Sequence, residues 1–254
     1  MVLTIDVGNS EIALGGFKEH EVAFVARLTT NTRQTDDEYS MKIDGVLRLH
    51  GIEKTQIRGV IISSVVPQLN RVLKNAVRHL FAVEPLLVGP GVKTGLAIRC
   101  DNPASVGADL ICACVAALSE YGAPCLIVDI GTATKMMVVD EQGAFIGVSI
   151  MPGVLMGLNA LATGTAQLPN IDLGTPHGVI GKNTIDCMRS GVIFGHAGMI
   201  DGMIDRINAE MGRELPTYVT GGLAPIVLPH CRHCMTADEL LVLKGLYQIY
   251  QKNK

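Results

Sequence analysis

The sequence predicts an α/β protein built by duplication: two similar domains, each a mixed sheet flanked by helices. Three observations predict it. The segment LTIDVGNS (Leu3 to Ser10) returns as LIVDIGTA (Leu126 to Ala133), with Asp6 and Asp129 in register 123 residues apart. Each copy is followed by a second apolar run and a polar turn, Lys18-Glu19-His20 in one case and Asp140-Glu141-Gln142-Gly143 in the other, so the hairpin repeats with the motif. Chance seldom extends a tetrapeptide match through the hairpin that follows. In both halves a three-strand meander then gives way to alternating helix and strand patterns, the signature of a mixed sheet covered by helices. The expected domains are 1–120 and 121–254, with a cleft between them.

In the first half, apolar β-branched runs predict strands over 2–7, 11–17 and 22–28. Thr35-x-x-Glu38 forms a capping box at the start of a helix over 36–49. A strand over 58–63, a helix over 67–80, a strand over 85–88 and a helix over 104–119 follow. The second half reads as strands over 125–130, 134–139 and 144–150, a helix over 154–163 and a long helical region over 183–211. A strand over 217–220 comes next, punctuated by Gly222 and Pro225, before a last helix over 238–251.

Composition narrows the function. Hydrophobic residues are 48% of the 254 and charged residues 18%, which supports a sizeable core and excludes disorder. The low charge suggests apolar surface covered in an oligomer. A net charge of −3, no basic run, no Trp and 4% aromatics argue against a nucleic-acid binder. No apolar stretch approaches the ~18 residues of a membrane span, and Asp6 stands where a signal peptide would be apolar. The expectation is a soluble cytoplasmic protein. Seven cysteines, an odd number, do not form a disulfide framework, and Cys112 and Cys114 in LICACVAAL read as small hydrophobes. The cluster His230-Cys231-Arg232-His233-Cys234 has zinc-ligating residue types but no second ligand pair at finger spacing, and is read as an ordinary loop.

Asp-x-Gly at the end of a buried strand suits phosphate chemistry. The glycine permits a tight turn that brings N–H groups to an anion, and the carboxylate can hold a hydrated Mg²⁺ bridging phosphate oxygens. Two such copies could grip a polyphosphate from both sides. The standard alternatives are missing: there is no G-x-x-x-x-G-K-[ST], no G-x-G-x-x-G after a strand, no G-x-S-x-G and no H-E-x-x-H. In Gly107-Ala108-Asp109 a carboxylate sits near a helix start, where the dipole favours it. It can serve as a plain cap or take the proton of a hydroxyl attacking a phosphoryl group. Thr220-Gly221-Gly222 closes a strand with residues small enough for a planar ligand to approach.

Several blocks occur in order: Asp6-Val7-Gly8-Asn9, Asp37-Glu38-Tyr39, Gly89-Pro90-Gly91-Val92-Lys93-Thr94-Gly95, Asp101-Asn102-Pro103, Gly107-Ala108-Asp109, Asp129-Ile130-Gly131-Thr132-Ala133-Thr134, Pro152-Gly153 and Thr220-Gly221-Gly222-Leu223-Ala224-Pro225. Together they resemble the type III pantothenate kinases of the actin/hexokinase-like superfamily. The resemblance implies two actin-like (ribonuclease H-like) domains. It also implies ATP- and Mg²⁺-dependent phosphorylation of the primary hydroxyl of pantothenate, the first step of coenzyme A synthesis, by a cytoplasmic homodimer. Asp6, Val7, Gly8, Asn9, Ser10, Glu11, Ile12 and Ala13 would border the ATP phosphates, with Thr132, Gly221 and Gly222 also at the nucleotide. Asp109 would be the general base, and Cys100, Gly107, Ala108, Asp109, Leu110 and Thr184 would line the pantothenate site. Asp6 would serve Mg²⁺, and Asp129 would bind the monovalent cation, K⁺ or NH₄⁺, that the family uses.

The chain departs from the family pattern at three places. Leu110 stands where arginine is usual, Cys100 where tyrosine is usual, and Lys135 where threonine is usual. The first two remove groups that would recognise pantothenate, and an arginine–carboxylate bond alone is worth about 1.5–3 kcal/mol, roughly 10- to 150-fold in affinity. Two further readings follow from these changes: a kinase for a different small alcohol, or a catalytically degenerate nucleotide-binding regulator.

Overall fold

The computed structural model describes residues 1–254. In chain order the elements are β1 (Val2–Val7), β2 (Glu11–Lys18), β3 (Glu21–Thr29), α1 (Asp36–Leu49), β4 (Gly59–Ser64), α2 (Pro67–Phe81), β5 (Leu86–Leu87), β6 (Ala97–Ile98), α3 (Ala108–Tyr121), β7 (Cys125–Ile130), β8 (Ala133–Val139), β9 (Ala144–Pro152), α4 (Val154–Gly164), α5 (Thr184–Met211), β10 (Thr217–Thr220), α6 (Ala224–Val227), β11 (Thr236–Ala237) and α7 (Leu241–Lys252). They form two compact units, Met1–Tyr121 with Leu240–Lys254, and Gly122–Glu239. No helix is long and apolar enough to cross a membrane.

The first unit has strand order β3-β2-β1-β4-β5. β1 pairs antiparallel with β2 and parallel with β4. Alternation along β1 sends Leu3, Ile5 and Val7 into a core with Tyr39 and Ile43 of α1 and Leu69 and Leu73 of α2. Thr4 and Asp6 therefore point to the opposite face. The capping box at α1 is formed: Thr35 Oγ1 accepts from the Glu38 amide at 3.3 Å, and the Glu38 carboxylate accepts from the Thr35 amide at 2.8 Å.

The second unit repeats the topology. Its own strands run β11-β10-β7-β8-β9, with β7 antiparallel to β8 and parallel to β10. Strand for strand this is β5-β4-β1-β2-β3 again. Leu126, Val128 and Ile130 of β7 enter a core with Val154 and Leu158 of α4 and Ile193, Ala197 and Ile200 of α5. Asp129 falls on the other face, as Asp6 does.

Three expectations shift. The contiguous split at 120/121 gives way to a return of the C-terminus: α7 buries Leu241, Leu243, Leu246 and Ile249 and packs on α3 and β1. Two glycines make this approach possible, since a β-carbon on Gly245 would clash with the Cys112 carbonyl and one on Gly59 with the Tyr250 ring. The helix expected over 104–119 starts at Ala108, after a 3-10 turn at Pro103–Ser105 and extended Val106. The last helix starts at Leu241 rather than 238, because β11 pairs with β10 and the Asp238 amide still donates to the Val219 carbonyl at 2.8 Å.

Candidate active site

Asp6 lies at the C-terminal end of β1, in register with Ser63 of β4 and Ala13 of β2. The fully buried Ser63 donates its hydroxyl to Asp6 Oδ1 at 2.8 Å, which fixes the carboxylate on the sheet face. The turn that follows is closed internally: the Gly8 amide donates to the Glu11 carbonyl at 2.9 Å. Thr30, just after β3, clamps it, its hydroxyl donating to the Gly8 carbonyl at 2.7 Å and its amide to the Ser10 carbonyl at 3.0 Å. The Gly8 N–H expected to face an anion is thus spent inside the turn. Among the predicted phosphate-bordering residues, Val7 and Ile12 are core side chains, 0% and 1% exposed, while Asn9, Ser10 and Glu11 are exposed.

Asp109 is the second residue of α3, in the first turn, where the helix dipole favours a carboxylate. It folds back over Gly107, where a β-carbon would lie 2.5 Å from Asp109 Oδ1. Any side chain at 107 would displace the carboxylate. One turn on, burial first and then the negative field of Asp6 and Asp109 hold the Cys112 thiol well above its ordinary range. Both carboxylates therefore act on the same small region beneath α3, where the thiol stays protonated. Leu110 is buried, and Cys100 is partly exposed after β6.

In the second unit, Asp129 ends β7 opposite Lys135 of β8 and next to Thr220 of β10. The Lys135 ammonium lies 2.7 Å from Asp129 Oδ2, and the two side chains are 18% and 15% exposed. Gly221, at φ +100°, packs against the strand end, where a β-carbon would fall 2.6 Å from Asp129 Oδ1 and 2.5 Å from the Ile130 carbonyl. Both the dihedral and the space require glycine there. The Gly131 amide donates to the Ala133 carbonyl at 3.2 Å, so here too the motif glycine serves the turn, while Thr132 and Gly222 are exposed. Beneath Thr132, the buried Thr134 shares a 2.7 Å hydrogen bond with His196 Nε2.

Thr184 opens α5 behind Asn183, whose side chain accepts from the Asp186 amide at 2.9 Å. It borders an open cavity of ≈ 590 Å³ that also meets Lys182, Cys187, Leu161 and Met188. The cysteine–histidine loop is organised by a buried acid. Asp201, 2% exposed, accepts the Arg232 amide at 2.9 Å and the His233 amide at 3.2 Å, while His233 Nε2 meets Asp205 at 2.7 Å. Burial pushes the Cys231 thiol up to about 11.

No group of three or more His, Cys, Asp or Glu side chains gathers into a metal cage. Asp6, a carboxylate oriented by the Ser63 hydroxyl, is of the donor type that Mg²⁺ takes, a hard oxygen ligand beside water and phosphate oxygens. Asp129 does not fit a free monovalent cation in the same way, because its Oδ2 already carries an ammonium group.

The fold is similar to solved structures across its whole length. One is a conserved protein from Campylobacter jejuni described as a Baf family transcriptional activator, 19% identical, TM-score 0.60, covering 99% of this chain and 98% of that one. A second is the activator of 2-hydroxyisocaproyl-CoA dehydratase from Clostridium difficile with bound ADPNP, 11% identical, TM-score 0.60, covering 99% and 95%. A third is the ROK hexokinase of Thermus thermophilus, 10% identical, TM-score 0.51, covering 100% and 99%. At these identities they establish the actin/hexokinase-like fold. The family model of the type III pantothenate kinases matches residues 2–206, most of the chain and all three motif aspartates, and the chain belongs to that family.

Proposed function

We propose a division of labour among the aspartates of this kinase in its reaction, the ATP-dependent phosphorylation of pantothenate that begins coenzyme A synthesis. The observation that carries it is that the first unit holds a Ser63-oriented Asp6 at the end of β1 and Asp109 in the first turn of α3, which packs on the neighbouring β4. Asp109 takes the proton of the primary hydroxyl as its oxygen attacks the γ-phosphorus, and Gly107 keeps the space that carboxylate needs. Asp6 holds Mg²⁺, which when bound neutralises charge on the phosphate oxygens. Phosphoryl transfer asks the protein mainly for positioning and charge stabilisation, so an ordered carboxylate and a fixed turn are the useful devices.

In each unit the exposed residues of the turn, Asn9 and Ser10 in the first and Thr132 in the second, are the candidates for phosphate contact, since the amides of Gly8 and Gly131 close their own turns. Gly221 and Gly222 give the nucleotide close backbone approach. In the second unit Thr184 contacts pantothenate, and Lys182 beside it on the same cavity offers that ligand a positive charge. In the first unit the acceptor-side residues are Gly107, Ala108 and Cys100, beside the Asp109 base. The working assembly in this reading is a cytoplasmic homodimer. Val179 and Ile180, 70% and 85% exposed, with Ile185 just after them and Leu155 and Met156 on α4, are the apolar side chains a second copy would cover.

The test is a coupled phosphorylation assay with pantothenate and MgATP, run on the wild type and Asp109→Asn. Wild-type turnover with loss of about 10²- to 10⁴-fold in kcat in the variant, at unchanged ATP affinity, is expected. A variant retaining its kcat removes Asp109 as the base, and a folded wild type that binds ATP yet phosphorylates no pantothenate removes the reaction itself.

A further inference from the structure

We infer that Lys135 is the resident cation of the Asp129 site, so that this kinase turns over without K⁺ or NH₄⁺. The inference rests on the pantothenate kinase reading above and concerns how one of its charges is supplied. Asp129 and Lys135 are partners across the β7–β8 hairpin, which places both side chains on one face of the sheet. The ammonium lies 2.7 Å from Oδ2, and the pair is largely shielded from water, at 15% and 18% exposure.

The rest of the carboxylate is enclosed as well. A β-carbon on Gly221 would fall 2.6 Å from Oδ1, and one on Gly131 3.3 Å from it, so backbone closes that side. A free cation joining this carboxylate would meet the positive charge of Lys135 at contact range, in a site poorly screened by solvent. An ammonium head carries the same single charge as K⁺ or free NH₄⁺, and the tether removes the need to recruit an ion from solution.

The duplicated hairpin supplies a control within the same chain. Asp6, the counterpart of Asp129, faces Ala13 across its own hairpin and takes a neutral hydroxyl from Ser63. In the strand register, then, the first carboxylate faces alanine and the second faces lysine. Lys135 is a positioning residue in this scheme: it sets the charge and orientation of Asp129 and of the Thr132 turn, and need not touch the reacting atoms.

The experiment measures initial rates with pantothenate and MgATP in KCl, NH₄Cl or choline chloride at one ionic strength, for the wild type and Lys135→Thr. The same proteins are melted in KCl and in choline chloride without substrates. The wild type is expected to keep its rate within about twofold across the salts and to show no K⁺-specific shift in Tm. Lys135→Thr should lose most of its rate in choline, recover part of it in K⁺ or NH₄⁺, and gain a K⁺-dependent rise in Tm as ion binding stabilises the fold. A wild-type rate that collapses without K⁺ overturns the inference and leaves the pantothenate reaction standing. A wild type inactive in every salt overturns the reaction instead. The melts then decide the cation question alone: a K⁺ shift in the variant only supports it, and a shift in both proteins or in neither overturns it.

Discussion

Gly153 stands so close to Thr132 that a β-carbon on it would overlap the Thr132 carbonyl oxygen and lie 2.7 Å from that of Gly131. It is the N-cap of α4 and follows Pro152, which pairs with Ala133 across β9 and β8. The start of α4 is therefore seated directly on the turn that follows Asp129. Backbone cannot yield as a flexible side chain does, so Gly153→Ala must push the 131–132 turn away. The variant is expected to lose about 1–3 kcal/mol of stability, as overpacked sites do, and to raise KM for ATP more than KM for pantothenate. Unchanged melting and unchanged ATP KM would show that the turn and α4 are not coupled.

Ser63 predicts a different kind of loss. Its hydroxyl is fully buried and its bond to Asp6 Oδ1, at 2.8 Å, is charge-assisted. Ser63→Ala removes that bond without adding volume. Hydrogen bonds to charged groups are worth about 1.5–3 kcal/mol, so a fall of roughly tenfold or more in kcat is expected if the bond holds Asp6 in its working position. The Mg²⁺ dependence should move to higher concentration in parallel. A variant with wild-type kcat and wild-type Mg²⁺ response would reduce Ser63 to a packing residue.

What the sequence made legible follows from how local each feature is. The duplication shows in hairpins, whose strands are neighbours in the chain, so the strand order β3-β2-β1 and β9-β8-β7 could be read directly. Asp6 and Asp129 stand out because a carboxylate ending an apolar run is locally anomalous, and Asp109 because it opens a long apolar helix pattern. Ser63 and Thr30 were invisible: each reaches the Asp6 turn only once β4 and β3 have taken their places beside β1 and β2, and strand neighbours across a long connection carry no local signal. The return of α7 onto α3 is hidden for the same reason, although Gly245 and Gly59 are its trace in the sequence. That the Gly8 and Gly131 amides close their own turns is also not legible, since Asp-x-Gly alone does not say which N–H groups the turn keeps for itself. Lys135 was within reach, since the tight turn after Ile130 puts residue 135 opposite 129 once the hairpin register is counted.

The last prediction concerns acid. His196 is 8% exposed, shares a 2.7 Å hydrogen bond with Thr134 two strand positions from the turn after Asp129, and is held below its ordinary range by burial. The fold thus favours neutral imidazole. As pH falls through the ordinary imidazole range near 6.5, the unfolded chain takes up a proton before the folded one does. The contribution of His196 to stability is therefore complete above that range and is lost progressively on moving down toward its lower folded-state value. His196→Gln can keep a hydrogen bond to Thr134 but cannot titrate. Melting temperatures measured at pH 7.5 and at about pH 5 should accordingly fall further for the wild type than for His196→Gln. If the two proteins lose the same Tm on acidification, the imidazole is protonated equally in both states and burial is not what governs it.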